Sequence, residues 1–157
     1  MSNIDELKKI VRILRSENGC PWDRAQTHSS LKPQCLEEAT EVIAGINIYE
    51  RTREFENLKE ELGDILFQVM LHSVIAEEEN LFSFDDVVEN VIKKMIRRHP
   101  HVFNGEKYVS DEEQRKGWEN IKLSEKKGNE WQTEYLKDAI NEIEILIKEA
   151  KERKGFS

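Results

Sequence analysis

Glycine and proline are scarce in this chain, seven and three in 157 residues, and the shortage argues against a many-stranded fold, whose tight turns consume both. Cysteine is scarcer. Cys20 and Cys35 form no close metal-ligand pattern and have no sequence-adjacent histidine to activate a thiolate, so they read as small, partly buried side chains in a reducing cytoplasm. No apolar run is long enough to cross a bilayer or to act as a signal peptide, and no membrane role is expected. Positive charge is also short. With 24 Lys and Arg against 32 Asp and Glu, the formal net charge of -8 repels a long polyanion, so nucleic acid is not an expected partner. A small phosphorylated ligand would need a bridging cation.

What the chain has in quantity is charge set beside helical apolar stripes. Charged residues make up 36% and hydrophobic ones 38%, a mix that suits amphipathic helices with one solvated face. The length suits one domain over residues 1–157, and the expected fold is an all-α bundle. Ile4, Leu7, Ile10, Val11 and Leu14 mark a first helix, ending before the turn-rich Asn18-Gly19-Cys20-Pro21. Leu36, Ala39, Val42, Ile43 and Ile46 mark a second helix after Pro33, and Leu58, Leu62, Ile65, Leu66, Val69 and Ala76 a third from near Glu56 to Glu79. These two read as an antiparallel hairpin. Phe84 to Arg98 is a fourth helix, His99 to Gly105 a loop, and Ser110 to Glu113 a capping box opening a helix through Trp118 and Ile121. A last helix is expected over about 130–154.

The hairpin carries two matching acidic pairs. Glu38 and Glu41 are flanked by Ala39, Val42, Ile43 and Ile46 at the same offsets at which Leu62, Ile65, Leu66 and Val69 flank Glu61 and Asp64. Residues three apart share a helix face, so each pair can direct two carboxylates to one point. A turn near Arg51, about which the pairs are symmetric, would set them side by side. Four converging carboxylates repel one another unless a cation compensates them. All-oxygen ligation selects Mg²⁺, Mn²⁺ or Ca²⁺ over zinc, and Mg²⁺ is the usual partner of substrate phosphates, with Mn²⁺ a substitute. A di-iron site would need histidine where Glu41 and Asp64 stand, and His72 lies about 12 Å beyond Asp64 along the helix, where it reads as a core-edge residue.

Other residues allow two readings. Lys94, Arg97 and Arg98 cluster near a helix C-terminus, where the dipole favours cations without any ligand and where a phosphate could also be held. Trp118 and Lys122 are i,i+4 neighbours, either a stacking aromatic with a phosphate-contacting ammonium or a core tryptophan beside a surface lysine. Trp22 is a second base-contacting aromatic or a loop anchor. Glu37 and Glu60 are charged flanks, with an outer-shell or general-base role as the other reading. Phe67, Met70 and Leu71 lie off the main stripe of the third helix, which is then either a middle helix of a monomer, packed on both faces, or part of the interface of a homo-oligomer, at least a dimer, with the third and fourth helices contributing to it.

Five segments together, from Asn18-Gly19-Cys20-Pro21-Trp22-Asp23 through Glu37-Glu38-Ala39-Thr40-Glu41-Val42, Glu60-Glu61-Leu62-Gly63-Asp64 and Arg97-Arg98-His99-Pro100-His101 to Trp118-Glu119-Asn120-Ile121-Lys122, resemble the MazG family of nucleoside triphosphate pyrophosphohydrolases. The resemblance covers about residues 4–125 and leaves the last helix outside. It implies an all-α fold, Mg²⁺ on Glu38, Glu41, Glu61 and Asp64, and release of pyrophosphate by water attack at the α-phosphorus. It also implies phosphate contacts from Lys94, Arg97 and Arg98, a segment with Trp118 and Lys122 that closes over the nucleotide, and a dimeric or larger assembly. The alternatives are a narrow dNTP or modified-nucleotide pyrophosphatase and a helical regulatory module that binds nucleotide without turnover.

Overall fold

The computed structural model describes residues 2–156, and among them every regular element is a helix. In chain order these are α1 (Asn3–Arg15), α2 (Pro21–Ala25), α3 (Lys32–Thr52), α4 (Glu56–Glu78), α5 (Phe84–Arg98), α6 (Pro100–Phe103), α7 (Asp111–Lys126) and α8 (Gln132–Lys154). The chain forms two compact units, one running up to Phe84 and resuming at Ile143, the other Asp85–Glu142.

In the first unit, α3 and α4 form the hairpin and α1 packs on α4. A capping box starts α1: Ser2 Oγ accepts from the Asp5 amide and the Asp5 carboxylate accepts from the Ser2 amide. Its basic face is bound to the end of α4, with Lys8 and Arg12 on Glu77 at 2.8 and 2.6 Å and Arg15 on both oxygens of Glu78. The same Arg15 guanidinium, itself buried, donates to the backbone carbonyls of Asp23 and Gln26. Where the chain leaves α1, a Cβ on Gly19 would lie 2.2 Å from the Ile13 carbonyl oxygen, so only glycine fits. The core gathers Val11, Leu31, Met70, Leu71, Val74, Ile75, Ala76 and Phe84 around the C-terminal half of α4.

In the second unit, Ser110 caps α7 by accepting from the Glu113 amide, while the Glu113 carboxylate accepts from Val109 rather than from Ser110. The capping box is therefore shifted by one residue. Gly117 lets the Tyr108 ring lie against α7, since a Cβ there would meet the phenol oxygen at 2.9 Å.

The structure departs from the sequence reading in four places. α3 continues through the expected turn at Arg51 to Thr52, because nothing from Asn47 to Thr52 breaks a helix; the chain reverses only at Arg53, which takes a left-handed φ of 64° with its guanidinium over the Tyr49 ring. Trp22 stands in a five-residue helix, not a loop, with Pro21 in its first turn. Pro100 likewise starts a four-residue helix inside the expected 99–105 loop. The fourth difference concerns which faces are covered. Met70 and Leu71, expected on an outer face of α4, are buried, whereas Leu62 and Leu66 of the expected core stripe are 52% and 37% exposed, as is Ile43 of α3 at 59%. α3 runs along α4, and α1 adds cover at the C-terminal end of α4, where Lys8, Arg12 and Arg15 reach Glu77 and Glu78.

Candidate functional site

The acidic hairpin positions depend on how closely α3 and α4 approach. Gly45 allows that approach: a Cβ there would lie 2.9 Å from the Leu58 Cα. A second pairing, Cys35 Sγ to Gln68 Oε1 at 3.8 Å, has the same register, with both contacts centred between residues 51 and 52. In that register Glu38, two turns before Gly45, faces Glu61 and Asp64, which follow Leu58 on α4. One carboxylate oxygen from each of the three lies within 4.8 Å of the others. Asn57 Nδ2 donates to Glu61 Oε1 at 2.8 Å and fixes that carboxylate from the preceding turn.

This convergence has an electrostatic cost. Burial, followed by the charges of Asp64, Glu41, Glu61 and Glu37, raises the Glu38 carboxyl above its ordinary value. The donor set fits a hard divalent cation: it is all oxygen, carries excess negative charge and is only partly covered. Glu41, the fourth expected ligand, is not part of the close trio. Its Oε1 accepts instead from Lys154 Nζ at 2.8 Å.

The same register brings together residues the sequence reading kept apart. His72, taken as a core-edge residue, lies with Nε2 3.3 Å from Cys35 Sγ and Nδ1 2.8 Å from His28 Nδ1. The thiol without a sequence-adjacent histidine thus has a spatial one. Burial pushes the Cys35 thiol up, and burial followed by the His28 charge lowers His72; both shifts favour the neutral form in this hydrogen-bonded strut across the hairpin.

The basic and aromatic candidates, apart from Trp22, lie in the second unit. Arg97 and Arg98 both bind Glu125 of α7, Arg98 through Nη2 to Oε2 at 2.6 Å and Arg97 through Nε to Oε1 at 2.8 Å. These hydrogen bonds hold the Glu125 carboxyl down at about 2. The Trp118 ring lies 4.3 Å from Lys122 Nζ and 5.6 Å from the Arg98 guanidinium carbon. A groove of about 450 Å³ opens here, lined by Arg98, His101, Tyr108, Arg115 and Trp118 among others. Lys94 is half-buried one turn before Arg98. In the first unit Trp22 is 56% exposed on α2. Asn57, Glu125, Arg153 and Lys154 were not singled out in the sequence; only Asn57 had a local signal, its i,i+4 spacing to Glu61.

The chain is similar to known proteins over this region. Residues 26–103 match the MazG nucleotide pyrophosphohydrolase domain. The chain is 46% identical over 122 residues to the nucleoside triphosphate pyrophosphohydrolase/pyrophosphatase MazG of Thermotoga maritima, covering 78% of this chain and 45% of that protein. It is 38% identical over 155 residues to the nucleoside triphosphate pyrophosphohydrolase of Escherichia coli K12, covering 98% and 57%. A crystal structure of a mazG-related protein from Thermotoga maritima superposes with a TM-score of 0.59 at 28% identity, over 76% of this chain and 98% of that one. The all-α fold is shared with that mazG-related structure, and the chain belongs to the MazG family. It spans about half the length of these two curated relatives.

Proposed function

We propose that this chain hydrolyses nucleoside triphosphates to nucleoside monophosphate and pyrophosphate, using Mg²⁺ held on α3 and α4 and water attack at the α-phosphorus. One observation carries the reading: three carboxylates meet within 4.8 Å inside the stretch that matches a nucleotide pyrophosphohydrolase domain. When bound, the divalent ion offsets phosphate charge and acidifies a water. Glu38, Glu61 and Asp64 hold it, Asn57 keeps Glu61 oriented, and Glu41 is the fourth ligand once it leaves Lys154. Mn²⁺ is the natural substitute.

Arg97 and Arg98 support the substrate half of the proposal. Two guanidinium groups that already grip both oxygens of one carboxylate have the geometry to grip phosphate oxygens, with Lys94 adding charge from the same helix. Trp118 and Lys122 serve the base and phosphates, and exposed Trp22 is a second stacking surface. The exposed apolar side chains Ile43, Leu62 and Leu66 support a homo-oligomer, at least a dimer, in which they are covered. Among the described residues no helix is long and apolar enough to cross a membrane. A cytoplasmic location is part of the proposal, and the net charge of -8 disfavours a nucleic-acid partner.

Pyrophosphate release across all canonical NTPs and dNTPs, with Mg²⁺ and with chelator, tests the proposal. Mg²⁺-dependent release with one or more of them is the expected result. Nucleotide binding without release would make the chain a regulatory module.

A further inference from the structure

The end of α8, outside the family-matched stretch, reaches the acidic flank of α3. Arg153 Nη2 donates to Glu37 Oε1 and Lys154 Nζ to Glu41 Oε1, each at 2.8 Å. Glu37 and Glu41 flank Glu38, and Glu41 is the expected ligand that stands outside the close trio. Both basic side chains are partly exposed, at 58% and 41%, so the pairs are exchangeable rather than buried anchors. An ammonium 2.8 Å from a carboxylate oxygen gives part of the compensation that a divalent ion would give.

We propose that Arg153 and Lys154 form a built-in cation clamp: they neutralise Glu37 and Glu41 in the metal-free protein, and Lys154 must release Glu41 before that carboxylate can join Glu38, Glu61 and Asp64 around a divalent ion. Lys154 is then a positioning residue for a metal ligand, and docking of the α8 end is linked to metal occupancy. Because one ligand cannot serve both cations, each weakens the other by the same factor. The inference rests on the metal reading given above.

Mn²⁺ binding followed by electron paramagnetic resonance tests it on the whole chain in wild type, Lys154→Gln, Lys151→Gln and Glu61→Gln. Lys151 lies on the same helical end, so K151Q removes equal charge while leaving the Glu41 pair intact. The clamp predicts that K154Q binds Mn²⁺ about two- to fivefold more tightly than K151Q. It also predicts that Mn²⁺ speeds amide exchange over about 148–156 in wild type. Binding that is lost in E61Q but equal in K154Q and K151Q, without a change in exchange, overturns the clamp and leaves the metal site standing. No binding by wild type or K154Q overturns both.

Discussion

Gly45 of α3 lies so close to Leu58 of α4 that a side chain at residue 45 would bring its Cβ to 2.9 Å from the Leu58 backbone. The acidic trio inherits its spacing from that contact. Gly45→Val should force the helices apart, lowering stability by about 1–3 kcal/mol and weakening divalent-cation binding. Gly63 is the control: it too is helical, but a Cβ there meets nothing within 4 Å, so Gly63→Ala should stabilise the fold by up to about 1 kcal/mol. Urea unfolding together with Mn²⁺ titration checks both. A G45V protein with wild-type metal affinity would contradict the register argument.

Glu38 gives a prediction with a definite sign. Its folded-state pKa is raised from 4.5, so ionising it opposes folding; the penalty is absent at low pH and develops as pH rises through the raised value. At neutral pH metal-free Glu38→Gln should therefore melt at a higher temperature than wild type. Millimolar Mg²⁺ should raise the wild-type Tm and leave E38Q unmoved, because an ion that binds only the folded site stabilises by mass action. Turnover should disappear in E38Q and in Asp64→Asn. A wild-type Tm indifferent to Mg²⁺ would count against the site.

Glu125 behaves oppositely. Held at about 2 by Arg98 and Arg97, it contributes stability that is fully present above its ordinary value of 4.5 and is lost as pH falls toward 2. Glu125→Gln should flatten the acid limb of the stability curve over that window. It should also tighten triphosphate binding by several-fold at neutral pH, since the arginines no longer have a resident carboxylate to exchange. Carboxyl-carbon NMR titration and calorimetric nucleotide binding separate these effects.

Association is tested at the exposed face of the hairpin. Sedimentation at micromolar concentration should give at least twice the 18.5 kDa of one chain, and Leu66→Glu should reduce it to the monomer. A wild-type species of 18.5 kDa with full activity would refute the oligomer.

The hairpin was readable where the physics is local. The bounds of α4 at Glu56 and Glu78 follow from an unbroken apolar period, and the pairing of Glu38 with Asp64 follows from the symmetry of two acidic motifs that the Gly45–Leu58 contact preserves. Periodicity could not tell which apolar stripe meets the core, since α4 is apolar on several sides and α1 decides the matter. The pairs Lys154–Glu41 and Arg98–Glu125 join charged helix surfaces that look alike in a linear pattern. Cys35 and His72, 37 positions apart, meet only because of the hairpin register.

Arg15 has a consequence for where this molecule can be cut. Its guanidinium joins Glu78, at the end of α4, to the carbonyls of Asp23 and Gln26, the second of which is the first residue of the family-matched stretch. A flat fork with five donors suits that four-acceptor task; an ammonium does not. The start of the matched domain at residue 26 therefore passes through a mechanical joint. A fragment beginning there would strip Glu77 and Glu78 of their cations and take Val11 out of the core, so it should be less stable than a chain that keeps α1.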